Sequence, residues 1–448
     1  MHNYLGKIVG LFFLVCGLAT PTSAALKDAS EFVLDNGMQV IVIPNHKAPI
    51  IHHAVLYKVG SIDEPEGKGG LAHLTEHLMF RGTHKFKDGK FNQLIENNGG
   101  LSNAGTSHDF TYYYQFLNIK SLELAMYLES DRMTGLDFSD DAFNFERKIV
   151  YQERQQRMNS DTASGFWEKF NRFYFGNNPY GRPVAGTQKE IASLSKEDVM
   201  DFYHKYYTPN NAILILSGDI DVDVAKELAQ KYYGGIKAQE LESAKQVTVK
   251  NLSAMQQKPI SISGAQADVS VNRMVGQYIL PHFSGADKEI YALMLYSQWL
   301  GEGVNSLLYQ ELVEKQKLAV SVGTEFSYLS RGNSLFYFYS YFKNTSDAEK
   351  IKQAFTKMLK TSEAKITEKK LQELKEKILA GQIYHNDNPA DASNIVLNWL
   401  SAGYSLQDMK NFEENINNLT LNDIKQVIKK LQEIYPSWGI ISPLGGAA

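Results

Sequence analysis

The chain has 448 residues, 43% of them hydrophobic and 21% charged, with a formal net charge of -4 and an isoelectric point near 6.3. That is ordinary globular composition, long enough for two sizeable cores, and no basic block supplies an electrostatic argument for nucleic acid. The single cysteine, Cys16, lies in an N-terminal apolar run. Without that run, a mature chain has no disulfides, no thiolate metal ligands and no cysteine nucleophile.

Lys7 precedes the apolar run from Ile8 to Ala19, and "TPTSAALKD" follows with small residues at Ala24 and Ala25. This is the layout of a secretory signal over residues 1–25, and the run is short for a membrane span. A retained anchor is the alternative. Signal cleavage puts the expected location in the periplasm of a Gram-negative bacterium, an oxidising compartment that suits a thiol-free chain.

Beyond the signal, "EFVLDNGMQVIVIPN" alternates around Asn36-Gly37 and predicts a hairpin. "IIHHAVLYKVGS" predicts another strand. Gly70 to Phe80 has helical spacing, with Leu71, Leu74, Leu78 and Met79 apolar. "SLELAMYLESDRM" and "AFNFERKIVYQERQQRM" predict helices, and "NAILILSGDI" a short buried strand. Residues 236–258 are polar and weakly periodic, as an interdomain connection would be. The layout then returns more faintly: "NRMVGQYILP" as a strand, "KEIYALMLYSQWLG" as a helix, "GNSLFYFYSYF" as a strand. "GIISP" near the C-terminus echoes "ILILSGDI". The fold class is therefore α+β, with two related domains over 26–235 and 259–448.

The first of these carries the chemistry. His73, Glu76 and His77 form H-x-x-E-H inside the predicted helix at Gly70 to Phe80. Positions i and i+4 lie on one helical face, about 6 Å apart along the axis. Two imidazoles there can converge on one tetrahedral zinc ion, and Glu76 on the same face can take a proton from a water activated beside them. The bland reading is chance on a helix of a chain with 11 histidines. The surrounding residues are apolar or small, and three polar groups in such a helix are costly without partners. The missing ligand is expected from a carboxylate on another helix. "FERKIVYQERQQ" offers Glu146 and Glu153, which share a helical face, and spacing leaves both open.

These motifs resemble the pitrilysin/insulinase family of H-x-x-E-H zinc metallopeptidases, in particular its bacterial and processing-peptidase-like members. The likeness covers essentially the whole mature chain. It implies one Zn2+ per chain held by His73, His77 and Glu153, with Glu76 as general base and Glu146 behind a ligand. "NNGGLSNAGTSHDFTYY" is similar to the segment whose strand pairs with substrate backbone, with Asn103 and Ala104 at its centre. The implied fold is two α/β rolls, each a mostly antiparallel sheet packed with helices. The implied activity is hydrolysis of peptides or unfolded protein segments in a closed chamber.

One stretch departs from the family. Complete members carry an Arg and a Tyr in the second half, within a stretch like L-R-E-K-x-x-L-A-Y. Here the corresponding "ELVEKQKLAVSVG" has Val313 and Val320. Valine donates no hydrogen bond to a carbonyl or an oxyanion. The expectation is therefore a zinc-bearing subunit of a heterodimer whose partner supplies the Arg-Tyr pair. A homodimer and a catalytically silent scaffold of the same family are the alternatives. His52, His53, His84, His108, His282 and His385 are assigned no role.

Overall fold

The computed structural model of the protein describes residues 26–87, 89–160, 162–241, 259–266, 269–381 and 388–444. Its principal elements run in chain order as follows. The first half holds β1 (Ser30–Val33), β2 (Gln39–Pro44), β3 (Ile50–Tyr57), α1 (Leu71–Leu78), α2 (Lys90–Asn97), β4 (Leu101–Thr106) and β5 (Thr111–Asn118). It continues with α3 (Leu122–Gly135), α4 (Asp140–Ser160), α5 (Thr162–Phe175), α6 (Lys196–Tyr206), β6 (Ala212–Gly218) and α7 (Val222–Tyr232). The second half holds β7 (Ser261–Gln266), β8 (Asn272–Ile279), α8 (Lys288–Gly301), a π-helix (Tyr309–Lys315), β9 (Ser321–Ser327) and β10 (Leu335–Phe342). It ends with α9 (Ala348–Ser362), α10 (Glu368–Gly381), α11 (Pro389–Ser401), α12 (Leu421–Gln432) and β11 (Ser437–Pro443). The expected signal and most of the expected connection, 242–258, lie outside the described residues.

The hairpin around Asn36-Gly37 is β1–β2, with Val33 opposite Gln39 and Gly37 at φ 83°. The turn needs a left-handed residue there, which glycine supplies without strain. The first sheet has the order β1-β2-β6-β3-β5-β4 and the second β7-β11-β8-β10-β9. In each, the last strand of the half returns to the middle of the sheet. It pairs in parallel on one side, β2–β6 and β7–β11, and antiparallel on the other, β6–β3 and β11–β8. The remaining pairs are antiparallel. The echo between "GIISP" and "ILILSGDI" is thus a shared place in two sheets of the same plan.

Each sheet has helices of its own half on one face. On the first sheet Val40, Val42, Val55 and Leu214 belong to one buried cluster with Leu74 of α1, Met126 of α3 and Val199 of α6. The opposite faces are covered by exchange. Ile41, Ile43, Ala54, Leu56, Ile213 and Ile215 share a cluster with Ile395, Val396 and Trp399 of α11, a helix of the second half. Reciprocally, α5 of the first half packs on β7 and β11. A Cβ at Gly264 would lie 2.9 Å from the Phe166 ring and one at Gly439 2.7 Å from Trp167. Glycines inside these strands let the aromatic residues of α5 approach the backbone. The exchange also explains why β6 reads as a continuous apolar run: every residue in it is buried.

Candidate metal centre and edge strand

Helix α1 is set in place by its first turn. Gly70, at φ 86°, precedes it, and a Cβ there would lie 2.6 Å from the Ala185 carbonyl oxygen. The N–H groups of Gly70 and Ala72 donate to the Glu64 carboxylate at 3.2 and 2.8 Å, satisfying donors that a helix start leaves unpaired. Burial pushes Glu64 up to about 8, against the pull of these two donors and Arg182. Leu71, Ala72, Leu74, Thr75 and Leu78 are buried, and the helix packs against α4 and α6. His73, Glu76 and His77 remain on the half-buried side.

The two imidazole rings stand 4.8 Å apart, nearly perpendicular at 87°. Glu153 of α4 brings Oε2 to 3.9 Å from His73 Nε2 and 3.5 Å from His77 Nε2. These gaps are too long for hydrogen bonds. They approach the roughly 3.4 Å separation of N and O ligands about 2.1 Å from one tetrahedral ion. Among the described residues this is the one group of His, Asp or Glu side chains so placed, with its ligand atoms all within 4.8 Å of one another. Burial, then the charges of His77 and Arg157, pushes His73 down to about 3, so its ring is neutral as ligation requires. The residues present therefore fit a divalent ion.

The two candidate glutamates occupy different places. Glu153 is half exposed beside the imidazoles. Glu146 is buried at 3% exposure, and its Oε2 lies 2.9 Å from His77 Nδ1. That contact assigns the Nδ1–H to Glu146 and leaves the Nε2 lone pair turned toward the gap. Arg81 forms an ion pair with Glu146 from the other side and also lies over the Phe145 ring at 5.1 Å.

Glu76 meets the first sheet. Its Oε2 accepts from the Thr106 hydroxyl at 2.6 Å, and burial pushes its carboxyl up against that hydrogen bond. Thr106 ends β4, an edge strand, and Leu101 at the other end is 69% exposed. Asn103 and Ala104 lie between them. The hairpin closes with Ser107 N donating to Phe110 O at 2.8 Å. By alternation from that pair, the N–H and C=O groups of Ser102, Ala104 and Thr106 point away from β5. The Asn103 side chain accepts from the Ala104 N–H at 2.9 Å, covering one of these edge donors.

Thr106, Arg81 and Glu64 were not singled out by the sequence. Thr106 stands two residues past Ala104 in the same segment, and Arg81 follows the motif helix directly, but neither forms a recognisable spacing. The remaining histidines lie apart from this group. His53 is buried between Gln115, at 2.6 Å, and Tyr233, at 2.9 Å. His52 stacks on Tyr114, and His108 Nε2 donates to the Arg182 carbonyl at 3.0 Å. His84 pairs with Asp137, and His282 Nδ1 donates to Gly332 O. His385 lies outside the described residues. In the second half Val313 packs against the core and Val320 is 51% exposed.

Two family models match the chain: Insulinase (Peptidase family M16) over residues 39–188 and Peptidase M16 inactive domain over residues 193–378. The zinc protease PqqE of Helicobacter pylori is 28% identical over 437 residues, 95% of this chain and 96% of that protein. A crystal structure of a protease from Helicobacter pylori superimposes with a TM-score of 0.83 at 26% identity, covering 93% of this chain and 99% of the other. The periplasmic protease PqqL from Escherichia coli shares the fold, with a TM-score of 0.77 at 18% identity over 93% of this chain and 47% of its own. Both halves thus match the same peptidase group, and the chain belongs to the insulinase family, peptidase family M16.

Proposed function

We propose that this chain is a zinc-dependent endopeptidase acting on peptides or unfolded protein segments. The observation that carries this reading is the convergence of His73 Nε2, His77 Nε2 and Glu153 Oε2 across gaps of 3.5 and 3.9 Å. His73, His77 and Glu153 are the proposed ligands, and Glu146 orients His77 through Nδ1. When bound there, zinc supplies Lewis-acid polarisation of a carbonyl and acidification of a water. Glu76 is the general base: Thr106 fixes Oε2 and leaves Oε1 to receive the proton. Asn103 and Ala104 offer the outer edge of β4 to an extended peptide, which adds as a further strand. The Asn103 carboxamide must release the Ala104 N–H for that pairing to form.

The catalytic domain of this reading spans 26–235, the connection 236–258 and the related non-metal domain 259–448. The segment 1–25 acts as a secretion signal and places the enzyme in the periplasm. Supporting this, the apolar run Ile8 to Ala19 precedes small residues, and among the described residues no helix is long and apolar enough to cross a membrane. The chain works as the zinc subunit of a heterodimer, because Val313 and Val320 offer no donor to substrate. The same two valines favour the second reading, a silent family subunit.

The deciding assay is cleavage of a quenched, unstructured peptide by the zinc-loaded chain, with Glu76→Gln as control. Activity that disappears in the control supports the endopeptidase. Bound zinc without activity, alone and with an Arg-Tyr-bearing family partner, supports the silent subunit.

A further inference from the structure

The two halves meet at a buried ion cluster beside the supports of α1 and β4. Arg331, in the loop between β9 and β10, is 7% exposed. Its Nη2 lies 2.5 Å from Asp63 Oδ2 and its Nε 3.5 Å from Asp109 Oδ1. The second contact is an ion pair without hydrogen-bond geometry, since Nε has no hydrogen-bond partner. The Tyr180 hydroxyl donates to Asp109. The Tyr180 ring lies against Gly332, where a Cβ would come within 2.3 Å of it. The loop that carries Arg331 is therefore seated closely on the first half.

Each partner of Arg331 continues into a support of the site. Asp63 accepts from the Gly60 N–H at 2.9 Å and is followed by Glu64, which holds the first turn of α1. Asp109 sits in the turn that joins β4 to β5, three residues past Thr106, which holds Glu76. These segments are stitched together: Ser61 N donates to Ser107 O and Ile62 N to His108 O, both at 3.1 Å. The stitching brings two carboxylates toward one guanidinium. Arg331 is the side chain that bridges both, and without it the tie between the two segments through Asp63 and Asp109 is lost.

We propose that Arg331 is a positioning residue for the peptidase site. A side chain from the region matched by the inactive-domain model holds the Ser61–Asp63 segment against the β4–β5 turn. It thereby fixes where α1 and Thr106 stand relative to each other. The inference rests on the reading of His73, Glu76, His77 and Glu153 as a peptidase site.

The test uses the full zinc-loaded chain, with any partner it needs, and three variants. Arg331→Met removes the guanidinium. Arg331→Lys keeps a charge that reaches one carboxylate. The triple variant R331M/D63N/D109N removes the cation together with the charges it neutralises, so it folds without an uncompensated carboxylate. Steady-state kinetics, zinc affinity and backbone hydrogen exchange over 61–78 and 101–118 are measured for each.

The expected result is a fall in kcat on the order of tenfold or more in Arg331→Met and in the triple variant. Arg331→Lys should recover part of it, and exchange should quicken at the β4–β5 turn and at α1. If the triple variant keeps the parent kcat and exchange pattern, Arg331 is only a structural ion pair and the proposal fails. If the parent chain itself cleaves nothing, exchange and zinc affinity still decide. Faster exchange with weaker zinc binding in the triple variant upholds positioning of the metal helix, and unchanged values overturn it.

Discussion

The two sheets follow one plan, and the helices that lead out of their central strands do not. Reading inward from β2 and from β7, the orders β2-β6-β3-β5-β4 and β7-β11-β8-β10-β9 coincide in sequence and in parallel or antiparallel sense. The first helix after the central strand is α1 in one half and α8 in the other. α1 carries His73, Glu76 and His77 between its buried leucines. α8 is buried at every position from Ile290 to Gly301, with no ionisable carboxyl or imidazole in that run. The shared plan is held by strand pairing and apolar faces, which tolerate either helix. The proposed chemistry rests on three side chains that one helix keeps at some cost in burial.

The edge strands repeat the lesson with the roles of charge reversed. β4 bears no ionisable group, and the Asn103 carboxamide covers the Ala104 N–H on its open edge. β9 carries Glu325 opposite Tyr337, and burial pushes its carboxyl up to about 7. A charge on an edge discourages pairing with another strand. The half that is proposed to accept a peptide strand leaves its edge neutral.

The sharpest way to break the comparison is to silence α1. Glu76→Gln should lower kcat by a factor on the order of 10² to 10⁴ while zinc stays bound, as loss of a general base does. A variant that keeps full activity would falsify the role given to Glu76. Next in size is Glu146→Gln, which weakens the orientation of His77. It should cost about 10- to 100-fold in zinc affinity, read by competition with a chelator, and much less in unfolding free energy. An affinity equal to the parent's would separate Glu146 from the metal centre.

A smaller effect is expected at Glu325 in the second sheet. Its proton is bound more tightly in the folded chain than in the unfolded one. The stability this contributes is full below the ordinary carboxyl value of 4.5 and is lost as pH rises through about 7. Glu325→Gln keeps its neutral form at all pH. It should therefore match the parent near pH 4 and exceed it by about 2 kcal/mol above pH 7, the shift being discounted for partial exposure. Urea unfolding at both pH values measures the difference, and parallel curves would remove the argument. Smallest of all, Val320→Tyr at a half-exposed position should change stability by less than about 0.5 kcal/mol. A larger loss in thermal unfolding would mean that the position is more constrained than its exposure indicates.

Much of this was legible in the chain itself. The β1–β2 hairpin, α1, α3, α4, α8, β8 and β10 were readable because their apolar residues recur at strand or helix period. The group His73, His77 and Glu153, a candidate for holding a metal, was suggested in part by polar residues at ligand spacing that interrupt an apolar helix. What stayed hidden depends on contacts between distant segments. Glu146 and Glu153 share a helical face, so only the tertiary position of α4 tells the buried carboxylate from the half-exposed one. β9 was missed because Ser321, Gly323 and Ser327 dilute its alternation. The π-helix was missed because its one extra residue per turn leaves no mark in a seven-residue run. The aromatic residues of α5 announce a buried side but not which sheet buries it. Nor does the chain show that Gly264 and Gly439 lie against Phe166 and Trp167, which come from a segment distant in sequence.

The exchange of α5 and α11 decides what happens if the chain is cut. A break in the polar segment after Leu241 gives one fragment with α5 and the first sheet and another with α11 and the second. Each fragment then has a helix without its surface and a sheet face without its cover. Each would expose a contiguous apolar patch of the kind that drives aggregation. Produced together, the fragments hold complementary surfaces on both sides and can reassemble, with affinity set by two docking events that the intact backbone makes intramolecular. The halves that look like independent repeats are thus expected to unfold as a single cooperative unit.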